Sequence, residues 1–274
     1  PLSPLILPSH SSEMRLPLHI ARRFKFAVVD DSEALAKRTI AVARKYAIRP
    51  LTSADFPHLM DLGEGFVAED SLLKAVKATF PLYRRSLEHL FEQAIASQET
   101  VDSSLIVTHK DSGRPVGYRL YYPVWRDELE HQPWPKHAMN DPERSAQSMQ
   151  KLFYDKFWEL HPEEEVTFRG ETVHVAGAHR GSGLFPVLYE YDLDYDEIVE
   201  KTGASFFTGP ATAQKIKELN LASMTVMYEG PKSVRCADGT EAPLPDGPIS
   251  LMSREMEGAL ACDVKPHWAR MGLL

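Results

Sequence analysis

Apolar residues recur along this chain at two spacings, near two and near 3.6 residues, and the two alternate. The β-type run "VHVAG" (173–177) passes through a Gly-Ser-Gly turn into Leu184, Leu188, Tyr191, Tyr195 and Ile198. These step by four, three, four and three and predict one buried helix stripe. Pro186 falls in its first turn, where a missing N–H does little harm. Helical patterns also cover 31–47 (Leu35, Val42, Tyr46), 52–66 with Thr52 or Ser53 as N-cap and Asp55 in the first turn, and 83–98. A further one covers 141–160, with Asp141 as N-cap, Pro142 at the first position, and Met149, Phe153, Phe157 and Leu160 on one stripe. A short helix is predicted over 210–220, from Pro210 to Asn220.

Strand patterns fill the remainder. "IRPLT" is a short strand, and 103–125 reads as a β-hairpin about "DSGR". "SFFTG" follows at 205–209, and "ASMTVMYE" and "ISLMSRE" read as paired closing strands around a Pro/Gly-rich insert, 230–248. The order is helix, hairpin, helix, strand, helix, strand, helix, strand, strand. It predicts an α/β or α+β fold with a mixed sheet and no internal repeat.

Composition narrows the field of functions. The chain has 274 residues, 43% of them hydrophobic, enough for one sizeable core. A net charge of -8 gives no electrostatic reason to expect nucleic acid or an anionic membrane as partner. No apolar run is long enough to span a bilayer. Cys236 and Cys262 form no CxxC and read as structural thiols. "HPEEE" (161–165) reads as a solvated loop, and no His/Asp/Glu cluster has metal-ligand spacing, so no metal is expected. The Arg-rich 14–26 segment is followed by acidic "DDSE", which argues against a transit segment and leaves cytoplasm as the expectation.

The chemistry concentrates in "AHRGSGLF". A helix start exposes unpaired amides and a partial positive charge, and glycines let an anion approach without a Cβ in the way. A strand, Gly181-Ser182-Gly183 and a helix therefore make a phosphate cradle, with Arg180 beside it; the plain alternative is a tight strand-to-helix turn. The two best-known cradles do not fit, since neither GxGxxG nor GxxxxGK[ST] is present.

"HRGSGLF" resembles the diphosphate-binding motif of the Gcn5-related N-acetyltransferases, Q/R-x-x-G-x-G/A between a strand and a helix. Ala178 stands where that motif prefers Gln or Arg. The element order is similar over about residues 46 to 256. The resemblance therefore implies an extension (1–45), an acetyltransferase domain (46–256) and a tail (257–274). Within the superfamily the chain resembles the invertebrate arylalkylamine (dopamine-type) N-acetyltransferases. "FVAEDSLLKA" stands where they carry F-x-x-D-E-P-L, "TGPATAQKIKELNL" resembles their serine-rich segment, and "GPISLMSREM" resembles their closing strand.

The resemblance implies a mixed, mostly antiparallel sheet flanked by helices, acetyl-CoA as acyl donor, a small amine acceptor, and a monomer or weak homodimer. The diphosphate would rest on Arg180, Gly181, Ser182, Gly183, Leu184 and Phe185, and His174, Val175 and Ala176 would offer backbone groups. An alkylamine with a pKa near ~10 arrives protonated, so a carboxylate must take its proton. Alignment to the family's Glu falls on Asp70, with Glu69 preceding it, and both stand as candidates for the base. Thr208 and Thr212 fall where the family has two functional serines, and Thr212 alternatively caps or lines a helix. His174 and His179 read as structural or solvated rather than as bases. Phe66, Tyr121, Tyr122 and Trp125 are candidate acceptor walls, and "PVWRDELEHQPWPKH" a candidate acceptor loop. The acceptor is expected to be an arylalkylamine. The alternatives are a polyamine or amino sugar acceptor, or a CoA-binding protein without catalysis.

Overall fold

Seven strands form one sheet in the order β1-β2-β3-β4-β5-β9-β6 in a computed structural model of the chain. The structure describes residues 41–75, 77–131, 142–190, 195–212, 225–235, 240–244 and 246–256. The sheet strands are β1 (Tyr46–Pro50), β2 (Leu105–His109), β3 (Pro115–Trp125), β4 (Val166–Val175), β5 (Phe206–Thr212), β6 (Thr225–Glu229) and β9 (Ile249–Glu255). β7 (Ser233–Arg235) and β8 (Glu241–Pro243) form a separate hairpin inside the insert. All pairings are antiparallel except that of β4 with β5. The helices are α1 (Phe56–Glu69), α2 (Ser71–Ala75), α3 (Phe80–Ser97), α4 (Arg126–His131), α5 (Pro142–Leu160), α6 (Leu184–Glu190) and α7 (Tyr195–Thr202). The mixed, mostly antiparallel sheet with helices on both faces matches the architecture the resemblance implied.

Strand alternation divides the core. Tyr118, Leu120 and Tyr122 of β3 point to one face, where they pack with Leu59 and Leu62 of α1, Leu87 and Phe91 of α3, and Phe153 and Phe157 of α5. Tyr121 points to the other face, with Phe168, Phe207 and Ile198 of α7. α6 packs there through Leu184, Val187 and Leu188, beside Val42 and Ala43 of the helical residues 41–45. Arg119 is buried on this second face. Its Nε and Nη2 donate to the Ser103 carbonyl at 2.9 and 2.6 Å, and its Nη1 donates to the Leu188 carbonyl at 3.0 Å. A fully buried guanidinium thus ties α6 to the sheet by charge-assisted bonds.

The start of α1 is fixed by a local device. The Thr52 backbone N–H and hydroxyl both donate to the Asp55 carboxylate, at 2.9 and 2.8 Å, and Arg49 donates to it twice. The far end of α1 is held by packing. Phe91 is fully buried, lies 5.5 Å from the Tyr118 ring, and would touch a side chain added at Gly63 of α1.

Two expectations are corrected. Pro210 to Thr212 belong to β5, not to a helix start: β5 pairs with β9 through Pro210↔Leu251 and Thr212↔Ile249. β9 lies antiparallel there, so Pro210 sits in a strand whose other edge has already left β4. The helical pattern of 31–47 gives way to β1 at Tyr46, whose ring is buried against His109 in the neighbouring strand. Of the stripe 184–198, Leu184 and Leu188 lie in α6 and Tyr195 and Ile198 in α7. Residues 31–40, Asp141, 191–194, 213–220, both cysteines and the terminal segments lie outside the described residues. Among the described residues no helix is long and apolar enough to cross a membrane.

Phe91→Ala is expected to destabilise the protein by about 3–5 kcal/mol, because it empties the joint between α1, α3 and β3. A fall in the urea midpoint at unchanged m-value is the measurement that checks it.

Candidate active site

β4 and β5 run parallel and pair only at Phe168↔Phe207 and Arg169↔Thr208. The contact ends at the next step, where a Cβ on Gly209 would stand 3.1 Å from the Gly170 carbonyl oxygen. Past it β4 continues to Val175 and β5 to Thr212 without further pairing. A bulge opens this fork. The β3–β4 register slips between Leu120↔Thr172 and Tyr121↔Gly170, which leaves Glu171 as the extra residue. A bulge bends its strand and increases local twist, so β4 swings from β5 here. The β5-side edge of β4 thus carries backbone groups that no strand satisfies, as a wedge-shaped binding cleft requires.

The chain leaves β4 through a short 3-10 turn (Gly177–His179) and reaches α6 through Arg180, Gly181, Ser182 and Gly183. Gly181 and Gly183 have φ of 73° and 82°, in the left-handed region that favours glycine. Among the described residues no hydrogen bond uses the amides of Gly181, Ser182 or Gly183. Free amides across left-handed turns make a concave, partly positive surface that fits a phosphate. The Ala176 amide does not join them, since it donates to the Val116 carbonyl at 2.9 Å. Leu184 is buried and Phe185 packs into the second face, so both anchor the turn. His179 is held from below, its Nδ1 3.1 Å from the Tyr46 hydroxyl.

The acidic end of α1 meets this turn. Arg180 forms an ion pair with Glu69, and its Nε donates to the Val175 carbonyl at 3.3 Å. A Cβ on Gly177 would lie 3.1 Å from Glu69 Oε1, so the helix end approaches the turn closely. Asp70 ends α1 and begins α2, its Oδ1 accepting the Leu73 amide at 2.9 Å. Burial raises the Asp70 pKa above the usual carboxylate range, partly countered by the Leu73 and Leu72 amides; Asp246 of the insert adds to the rise. The fully buried Tyr118 hydroxyl stands in the field of Asp70 and is raised well above its usual value, chiefly by burial.

His174 sits where these parts join. It is cross-strand from Tyr118, with ring centroids 5.6 Å apart, and edge-on to Phe66 of α1 at 5.8 Å. Burial lowers its pKa to about 4, Glu69 opposing and Arg180 adding to the fall. The imidazole is therefore neutral at pH 7 and is a packing element under the Glu69–Arg180 pair. Sequence reasoning thus selected four residues, Glu69, Asp70, His174 and Arg180, that the structure gathers in one place.

Other selected residues do not converge there. Thr208 is buried in the sheet with its hydroxyl 3.1 Å from that of Thr167. Thr212 is half-buried at the open end of β5. Tyr122 lies on the same face as His174, but Tyr121 and Trp125 belong to the opposite face and are not walls of this site. In the candidate acceptor loop, Arg126–His131 are helical and 132–137 lie outside the described residues. Sequence reasoning missed Tyr118, Arg169 and Asp246. Only alternation along β3 and β4 could have hinted at the first two, and nothing local at the third. Among the described residues no group of three His, Cys, Asp or Glu could hold a metal ion.

A histidine with a folded pKa near 4 binds fewer protons than its unfolded form, near ~6.5, throughout the window between them. Its contribution to stability is thus full above about pH 6.5 and is lost as pH falls toward 4, by up to about 3 kcal/mol. Urea unfolding at pH 7, 5.5 and 4.5 is expected to show this loss. His174→Gln, which cannot titrate, is expected to flatten it.

No protein-family model matches this sequence, and no curated protein matches it. Solved structures do. A mosquito arylalkylamine N-acetyltransferase-like protein (5b) superposes with a TM-score of 0.57, at 9% identity over 77% of this chain and 99% of its own. A Drosophila melanogaster polyamine N-acetyltransferase that forms N-acetylagmatine superposes at 0.56, with 15% identity over 76% and 97%. An agmatine N-acetyltransferase variant in its apo form superposes at 0.58, with 14% identity over 77% and 99%. Likeness at such identities is one of fold, and together with the forked β4–β5 pair and the glycine turn beyond it, it gives this chain the fold of the Gcn5-related N-acetyltransferases.

Proposed function

We propose that the protein transfers an acetyl group from acetyl-CoA to the amine of a small primary amine, of the arylalkylamine kind. One observation carries this reading: the acidic end of α1 and the glycine turn after β4 touch, through Glu69 and Arg180, beside the fork between β4 and β5. A phosphate-binding turn and a proton-accepting carboxyl thus stand on either side of one cleft. The similarity in fold to amine N-acetyltransferases agrees with that chemistry.

In this reading the Gly181, Ser182 and Gly183 amides and Arg180 hold the pyrophosphate, by hydrogen bonds and charge at a turn with no side chain in the way. The unpaired edge of β4 past Arg169 offers N–H groups to the thioester oxygen. Acetyl-CoA supplies an acyl carbon that forms a bond to nitrogen as its bond to sulfur breaks. Asp70 takes the proton from the ammonium. Its raised pKa suits proton capture near neutrality better than that of an ordinary surface carboxylate, and Glu69 is engaged with Arg180. Glu69 thereby positions Arg180. Thr208 is sealed against Thr167, so of the two candidate hydroxyls this reading assigns Thr212, at the end of β5, to the leaving thiolate.

Free-thiol release from acetyl-CoA with tyramine, dopamine, agmatine and glucosamine tests the reaction; no release with any amine overturns it. Asp70→Asn is expected to lower kcat by about 10²–10⁴-fold and to remove the acidic limb of the pH–rate profile. The double variant Gly181→Glu with Gly183→Glu is expected to abolish calorimetric binding of CoA, because carboxylates repel an anion there and side chains strain the left-handed backbone of the turn; circular dichroism checks that the fold is kept.

A further inference from the structure

His179 ends the 3-10 turn that leads into the glycines, two residues before Gly181. Its ring belongs to a second cluster beside that turn. Tyr46 opens β1, His109 closes β2, and the two are cross-strand partners. Their rings meet edge-on at 5.5 Å. The His179 ring lies 5.7 Å from that of Tyr46 and 5.3 Å from that of His109. Two imidazoles from separate elements are thus brought side by side against one phenol. Tyr46 is 3% exposed, whereas both imidazoles are only half-buried.

Hydrogen bonds set the direction in which both rings donate. Among the described residues the buried Tyr46 hydroxyl bonds only to His179 Nδ1, at 3.1 Å. Its proton therefore goes to Nδ1, and the ring proton of His179 stands on Nε2. Ser112 Oγ accepts the Arg114 amide at 3.3 Å and turns its own proton to His109 Nδ1, at 3.4 Å. The His109 ring proton then stands on Nε2 as well. A second proton on either ring would leave Nε2 a donor still. Among the described residues no hydrogen bond uses either Nε2.

The rim of this cluster is cationic. Arg44 and Lys45 precede Tyr46, Lys110 follows His109, Arg114 ends the β2–β3 turn, and all four are exposed. The Lys110 amide donates to the Lys45 carbonyl at 2.8 Å, and its Nζ donates to the Ala43 carbonyl at 2.7 Å, which fixes that charge beside Arg44 and Lys45. Asp111 is the one acid of the hairpin tip, and Glu69 offsets Arg180 on the other side of His179. On a chain of net charge -8 this rim is a local reversal of sign, suited to an anion. Coenzyme A carries two phosphates in its pyrophosphate and a third, a monoester, on the 3′ position of its ribose. The glycine amides serve the pyrophosphate. Two outward N–H donors on a cationic rim match the third, since phosphate oxygens accept charge-assisted bonds at about 2.7–2.9 Å.

We propose that His109 and His179 bind the 3′-phosphate of coenzyme A, with Tyr46 and Ser112 holding the two rings and the basic rim adding attraction. The inference rests on the acetyl-transfer reading and deepens it: it names the contact by which the protein tells coenzyme A from a thioester carrier that lacks this phosphate. The pair acts on cofactor affinity and takes no proton from the amine.

Calorimetry with CoA and dephospho-CoA, which differ only by the 3′-phosphate, is the test. The wild type is expected to bind CoA at least about tenfold more tightly. His109→Phe keeps a ring against Tyr46 and removes one donor; it is expected to lower that ratio about 3–10-fold and to leave the affinity for dephospho-CoA unchanged. Circular dichroism checks its folding. Phosphorus NMR of CoA with the wild type gives a reading independent of any variant: the 3′-phosphate resonance is expected to move on binding along with those of the pyrophosphate. Equal affinities for the two ligands, a ratio unchanged in folded His109→Phe, or a 3′-phosphate resonance that stays in place while the pyrophosphate signals move overturns the inference and leaves the acetyl-transfer reading standing. Binding of neither ligand, with no thiol release from acetyl-CoA, overturns both.

Discussion

Two parallel strands that pair over two residues and then separate set the terms for the rest of this protein. β4 is held along its length by β3, yet parts from β5 after Arg169 because Glu171 is inserted as a bulge and bends it away. Separation leaves main-chain donors and acceptors of β4 without a strand partner inside the protein. Such groups are tolerated where water or a ligand reaches them, so the fork is both a weakness of the sheet and its opening. The glycine turn extends the same feature: directly past β4, it presents three more free amides at the start of α6.

Electrostatics joins the two sides of that opening. Glu69 at the end of α1 and Arg180 in the turn form an ion pair whose members are 31% and 55% exposed. A pair in that setting contributes at most about 1 kcal/mol, so its value is geometric rather than energetic. It brings Glu69 to the mouth of the turn and engages it, while Asp70 next to it is buried, accepts the Leu73 amide and has a raised pKa. His174 beneath the pair is kept neutral by burial, which removes a competing charge from the junction. Phe91, behind Tyr118, and Asp55, at the start of α1, fix the helix that carries both acids.

The insert between β6 and β9 is more than a connection. Its buried Val234 and Leu244 join the core beneath α1, α3 and α5, and it brings Asp246 close enough to raise the Asp70 pKa.

What the sequence determined by itself is what local geometry requires. A glycine-rich turn between a strand and a helix, an Asp three residues past Thr52, a Pro at the start of α5 and alternation along β3 are short-range patterns, and each lies where its spacing implied. The proximity of Glu69 and Asp70 to Arg180, over more than a hundred residues of chain, was legible only through a family resemblance. Tertiary structure decided which face each side chain takes. One extra residue at Glu171 sets the phase of β4, and with it whether His174, Arg169 or Thr208 meets the cleft or the core. It turned Tyr121 away from the site, sealed Thr208 against Thr167, and carried Pro210 into a strand because β9 was there to pair with it. None of these outcomes has a local cause: each depends on a partner distant in sequence.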